Sequence, residues 1–124
     1  MKNRLYWHQV VSHIHFFGRE TIMRKDTICI GLLDKDTKVQ EINTVDAFKI
    51  VANIFASCTG GATITEGCGV YTHDDGEIVI EKSLVCFVYG GNDKSIELAC
   101  EQIKIALNQE SVAIETTESN SRFF

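Results

Sequence analysis

The sequence predicts an α+β domain with the element order β-α-β-β-α-β, a four-stranded antiparallel sheet with two helices on one face. Two observations carry that prediction. The first is a long hairpin between Gly60 and Gly91. Thr63, Ile64, Val70 and Tyr71 lead into it, Ile78, Val79, Ile80, Val85, Phe87 and Val88 lead out, and His73-Asp74-Asp75-Gly76-Glu77 lies between. Asp-Gly between alternating apolar residues is a strong hairpin signal, because glycine enters the φ > 0 turn without steric cost. The second is a stripe of helical period before the hairpin and another after it. A hairpin between two amphipathic helices is the split βαβ, ferredoxin-like pattern. Both helices then pack on one sheet face, and the other face needs its own explanation.

Each element follows in turn. Arg24 to Leu33 reads as the first strand, with Ile28, Ile30 and Leu32 on one face and Cys29 and Leu33 on the other. Asp34-Lys35-Asp36-Thr37-Lys38 is a polar turn without the glycine and glutamate offsets of a calcium loop, and reads as solvated charge. Asn43 or Thr44 caps a helix from Val45 to Ser57, with Asp46 where the helix dipole favours an anion. Its apolar stripe is Ala47, Phe48, Val51, Ile54, Phe55 and Cys58, and Gly60 or Gly61 stops it.

In the hairpin, a turn centred on Asp75 sets Tyr71 against Val79, Glu66 against Leu84 and Ile64 against Cys86. A bulge at Gly67 or Gly69 would exchange the faces beyond it. Asn92 or Asp93 caps a second helix, Lys94 to Asn108, with Ile96, Ala99, Cys100, Ile103 and Leu107 inward. Ser111 to Thr117 is the last strand, with Val112 and Ile114 inward, and a polar tail ends in Phe123-Phe124.

The chain of 124 residues divides into an aromatic, His-rich arm (1–22) and a single ligand-binding domain (23–124). His8, His13 and His15 fall in the arm, and its polar interruptions fit a signal peptide poorly. A net charge of -5 argues against binding to DNA or RNA. No apolar run of about 18 residues suggests a membrane span, and the expected location is the cytoplasm. Five widely spaced cysteines, with no C-x-x-C, read as reduced thiols on core faces rather than a zinc site. No cofactor and no metal are expected.

Neither a P-loop nor a dinucleotide-binding glycine motif is present. His73 lies beside Asp74 and Asp75 in a turn, and Glu66 lies on a strand where Lys82 is its expected ion-pair partner. No catalytic residue is therefore expected, and a binding protein is favoured over an enzyme. Tyr71 or Phe87 offers a stacking surface for a base. Thr65, Asn108 and Asn120 offer hydrogen bonds to ribose hydroxyls. Arg122 and the helix N-terminus at Asn92 offer positive charge and N–H groups to phosphate. For each aromatic residue taken singly, a place in a subunit interface is the competing explanation.

The stretches GATITEGCGVYTHDDG, ALNQESVAI and ESNSR, within Ile28 to Arg122, resemble small phage proteins with the same order of elements. Among these, the pattern is similar to that of the Thoeris anti-defence sponges. That resemblance implies a non-enzymatic protein that sequesters a cyclic ADP-ribose-type signalling nucleotide at sites between subunits. The aromatic residues left without an evident core partner separately predict a homodimer or higher oligomer built on the sheet face or the N-terminal arm. Two other expectations stand beside it: a structural homo-oligomer with no small ligand, and a small-molecule enzyme using Glu66 or His73.

Overall fold

The computed structural model describes residues 21–124. The elements are β1 (Thr21–Gly31), α1 (Thr44–Thr59), β2 (Thr63–Thr72), β3 (Ile78–Tyr89), α2 (Asp93–Ala106) and β4 (Ala113–Ser121). The sheet order is β2-β3-β1-β4, with every neighbouring pair antiparallel. This is the ferredoxin-like βαββαβ arrangement expected from the sequence.

The hairpin register runs without a bulge from Thr63 opposite Phe87 to Thr72 opposite Ile78. Gly67 and Gly69 thus do not exchange the faces. Gly67 instead sits close to its cross-strand neighbour, since a Cβ there would lie 2.9 Å from Ser83 Oγ. At the turn, His73 N–H donates to the Glu77 carbonyl and Gly76 N–H to the His73 carbonyl, each at 2.8 Å. Gly76 takes φ 85°, the left-handed conformation the Asp-Gly signal implied.

Period-two alternation sends Ile28 and Ile30 of β1, and Leu84, Cys86 and Val88 of β3, under the helices, where all are buried. Val51 and Phe55 of α1 and Ile96, Ala99 and Ile103 of α2 meet them. Full burial of each large aliphatic or aromatic side chain contributes about 1.5–3 kcal/mol. Asn43 caps α1 by accepting from Asp46 N–H at 2.8 Å. Asn92 and Ser95 form a reciprocal capping box on α2.

Several boundaries and faces differ from the sequence reading. Thr21 and Ile22, placed in the arm, begin β1, while the rest of the arm (1–20) lies outside the described residues. The last strand continues through ESNS to Ser121, because β1 offers it a partner as far as Thr21. Ile114 is 43% exposed on that edge strand, and Phe48 is 41% exposed on α1 rather than inward. All five cysteines are unbridged, but only Cys86 and Cys100 are buried; Cys29 and Cys68 are exposed.

One interior feature escaped the sequence reading. Asp26 is fully buried on the helix side of β1. Arg24 grips it with two bonds, Nε at 2.8 Å and Nη2 at 3.1 Å, and Thr116 Oγ1 donates to it at 2.6 Å. The same guanidinium reaches Asp93 at 2.7 Å and so ties the start of α2 to β1. Hydrogen bonding to Asp26, then to Asp93, holds Arg24 further toward its charged form.

Candidate functional site

β3 pairs with β1 only from Ser83 to Tyr89, whereas it pairs with β2 from Ile78 to Phe87. The hairpin therefore projects past the end of β1 as a two-stranded ribbon. On its open side, odd-numbered Tyr71, Val79 and Glu81 share a face with Gly31 at the end of β1. The chain then turns through 34–39, and that loop with Gln109–Ser111 completes a cavity of about 360 Å³.

Glu81 is the charged group that the end of β1 seats in the cavity. Its Oε2 accepts from Leu33 N–H at 3.2 Å. No other hydrogen bond to its carboxylate occurs among the described residues, which leaves Oε1 available. Gly31 makes room for it: a Cβ at residue 31 would lie 2.8 Å from Oε1. Tyr71 and His73 stand beside it on the ribbon, their rings edge-to-face with centroids 5.5 Å apart. Such a pair presents a π-face and a titratable ring to the same space.

The polar turn is not merely solvated. Asp34 Oδ1 accepts from Asp36 N–H at 2.8 Å and Thr37 N–H at 3.1 Å, and Asn108 Nδ2 donates to Asp34 Oδ2 and Asp36 Oδ2, both at 2.9 Å. In the same wall Asn108 takes φ 48° and Lys38 φ 63°. The Asn108 amide, followed by the Thr37 and Asp36 N–H groups, holds the Asp34 carboxyl below the ordinary carboxylate range. Gln109 is nearly buried and fastens this wall, its amide donating to the Leu33 and Leu107 carbonyls.

The residues expected to bind ligand are not gathered into one place. Tyr71 lines the cavity. Phe87 lies on the same open face, but eight residues along β3 from Val79, the partner of Tyr71; at about 3.4 Å per residue that is roughly 27 Å away. Thr65 opposes Val85, between the two. Phe87 is covered by Lys25, whose Nζ lies 4.7 Å from the ring centroid. Asn92 is committed to capping α2, and Asn108 to the Asp34 loop. Asn120, opposite Ile22, and Arg122, whose guanidinium sits 5.9 Å from the Phe124 ring, lie toward the far end of the sheet. The binding set drawn from these residues thus splits between the two ends of the domain.

Of the two candidate enzyme residues, His73 is in the cavity lining. Glu66 is exposed on the opposite face of edge strand β2; it faces Leu84, while Lys82 faces Cys68, so the expected ion pair is not formed. Sequence reasoning missed Glu81. Its one signal was a carboxylate on the aromatic-rich face of β3. No group of residues able to hold a metal ion occurs among the described residues, and no helix there is long and apolar enough to cross a membrane.

Comparison with known proteins places this geometry beside a specific set of folds. No family pattern matches the sequence, and no curated protein matches it. Among solved structures, the chain is similar to a phage SAM lyase in complex with S-methyl-5'-thioadenosine, with TM-score 0.60 and 19% identity, covering 88% of this chain and 95% of that one. It is similar to a phage SAM lyase in the apo state, with TM-score 0.57 and 22% identity over 78% and 81% of the two chains. CutA from Synechococcus elongatus follows, with TM-score 0.53 and 12% identity over 82% and 80%. At these identities the likeness defines the class by fold: a ferredoxin-like α+β domain.

These findings correct the sequence reading in three respects. The similarity runs to a phage lyase and not to the Thoeris sponges. The sequestering role for a cyclic ADP-ribose-type nucleotide is accordingly withdrawn. So is the expectation that the protein is not an enzyme, because the alternative of a small-molecule enzyme agrees better with a lyase as structural neighbour.

Proposed function

We propose that the chain is a small-molecule enzyme that takes a sulfonium nucleoside of the S-adenosylmethionine type into the Glu81 cavity. There it breaks the bond between sulfur and the amino-acid side chain, releasing a methylthioadenosine-type thioether. The observation that carries this reading is the seating of Glu81: a carboxylate with an available oxygen, held by one backbone N–H against a glycine, beside the Tyr71–His73 ring pair. A carboxylate there suits a cationic substrate, and Tyr71 suits the adenine ring. The bound thioether in the similar lyase supports the same substrate class.

The chemistry balances without a cofactor. The carbon–sulfur electron pair returns to sulfur, so the positive charge disappears and the thioether leaves neutral, needing no proton. The remaining carbon is satisfied within the substrate, by closing onto its own carboxylate or by losing a neighbouring proton to Glu81 or His73. The chain's residues orient the substrate and, in the second route, accept the proton.

The open sheet face runs directly into the cavity, and we infer that self-association covers that face and narrows the cavity mouth. Incubation with S-adenosylmethionine, followed by chromatography, tests the main reading. Methylthioadenosine should accumulate with the wild type, fall at least tenfold with Glu81→Ala, and stay unchanged with Glu66→Ala. Quantitative recovery of intact substrate from the wild type would overturn it.

A further inference from the structure

We infer that Lys35 and Lys38 form a carboxylate-binding edge of the Glu81 cavity, so that the site selects ligands with an amino-acid head. This inference rests on the proposed reaction and deepens it. The lining of this cavity holds two lysines, Lys35 and Lys38, beside the carboxylates of Asp34, Glu81 and Glu110. Among the described residues neither lysine forms an ion pair; the lysine and arginine bridges there are Arg24 with Asp26 and Asp93, and Lys104 with Glu101. Their charges are therefore available to a ligand.

The loop that carries them is held in place. Asp34 N–H donates to the Val39 carbonyl and Lys38 N–H to the Asp34 carbonyl, both at 2.9 Å, and Lys35 N–H donates to the Asn108 carbonyl at 3.1 Å. Lys38 is kept at φ 63°, a conformation few lysines adopt. A strained backbone maintained by this many bonds fixes where the Lys38 side chain leaves the chain. Asp34 shares the lining, but its oxygens already accept from Asp36, Thr37 and Asn108, so it competes little for the two ammonium groups. Glu81 stands in the same lining with opposite charge. An α-amino acid presents its ammonium and carboxylate on one carbon. Glu81 would receive the first, and Lys35 with Lys38 the second.

Two adenosine thioethers separate the head from the nucleoside. S-adenosylhomocysteine carries the amino-acid head and, lacking the sulfonium charge, is not cleaved by this route; methylthioadenosine has no head. Titration calorimetry of the full chain with each should show Lys35→Gln/Lys38→Gln weakening S-adenosylhomocysteine at least tenfold while methylthioadenosine stays within twofold. Lys35→Arg/Lys38→Arg should restore most of the loss. Equal effects on both thioethers, or no effect on either, would overturn the carboxylate assignment while leaving the nucleoside site standing. A wild type that binds neither thioether would remove the proposed function, and this inference with it.

Discussion

The Glu81 carboxylate occupies the space that a side chain at residue 31 would need: a Cβ on Gly31 would lie 2.8 Å from Glu81 Oε1 and 2.9 Å from Oε2. The clash is with the far end of a flexible side chain, so it can be relieved without moving backbone. Gly31→Ala should therefore fold, with a melting temperature within a few degrees of wild type, and lose at least tenfold in turnover as Glu81 swings away. Comparing the melting curve with product formation checks both halves. Unchanged turnover would mean that the position of Glu81 is unimportant.

The loop at Asp34 should be acid-sensitive. Its folded pKa is lowered, chiefly by the Asn108 amide. The associated stability is thus fully present above the unfolded value of about 3.9 and is lost as pH falls through the folded one. Melting temperature followed downward from pH 6 should drop once the ordinary carboxylate range is passed. Asn108→Ala should flatten part of that slope. An identical pH profile in the variant would show that Asn108 does not hold the Asp34 charge.

Arg24 is expected to be among the costliest side chains to remove. Truncation to Ala strands the fully buried Asp26 without its cation, a loss on the order of 3–5 kcal/mol for a buried pair broken from one side. Urea denaturation of Arg24→Ala should show a loss of that size, a large share of the about 5–15 kcal/mol typical of a domain. The double variant Arg24→Ala/Asp26→Asn should recover part of it, since the neutral amide no longer needs a counter-charge. A single variant within 1 kcal/mol of wild type, a loss of about the surface-pair size, would contradict the geometry.

Thiol chemistry reports on both the interior and the open face. Burial pushes the Cys86 thiol up to about 12 and Cys100 up to about 11. Both should resist alkylation at pH 8 until the protein unfolds. Because these folded values are raised, the stability they carry is complete below the unfolded value of about 8.5 and is lost as pH climbs toward 12. Cys68 should react quickly. Cys29 lies on the open sheet face, so self-association there predicts slow labelling that accelerates on dilution. Labelling of Cys29 as fast as Cys68 at every concentration would argue against an interface on that face.

Much of the architecture was legible because local signals agreed. Asp75-Gly76 fixed the turn, the turn fixed the pairing of Tyr71 with Val79, and one residue of each pair Asn43/Thr44 and Asn92/Asp93 marked a helix start, the asparagine in both cases. The site was less legible because its contacts are remote in sequence. Asn108 looked like an unengaged amide, yet its partners lie 74 and 72 residues away. Glu81 stood out only as a carboxylate on an aromatic-rich strand face, and its partner, the Leu33 N–H, lies 48 residues back. Asp26 carried no sign of burial, since a charged residue in a strand ordinarily points to water. Its need for Arg24 is visible only once the sheet has been built.

The hairpin's projection beyond β1 also constrains how such a protein can diversify. Tyr71, Val79 and Glu81 lie on an overhang supported by one neighbouring strand on each side of the turn. Because alternate residues face opposite sides, a single-residue insertion would turn the aromatic rim inside out. Matched insertions of two residues in each arm would instead advance Tyr71 and His73 by one repeat, about 7 Å, and leave the buried sheet untouched. The cavity can thus be resized in discrete steps, and viable length variants of this hairpin should differ by an even number of residues in each arm.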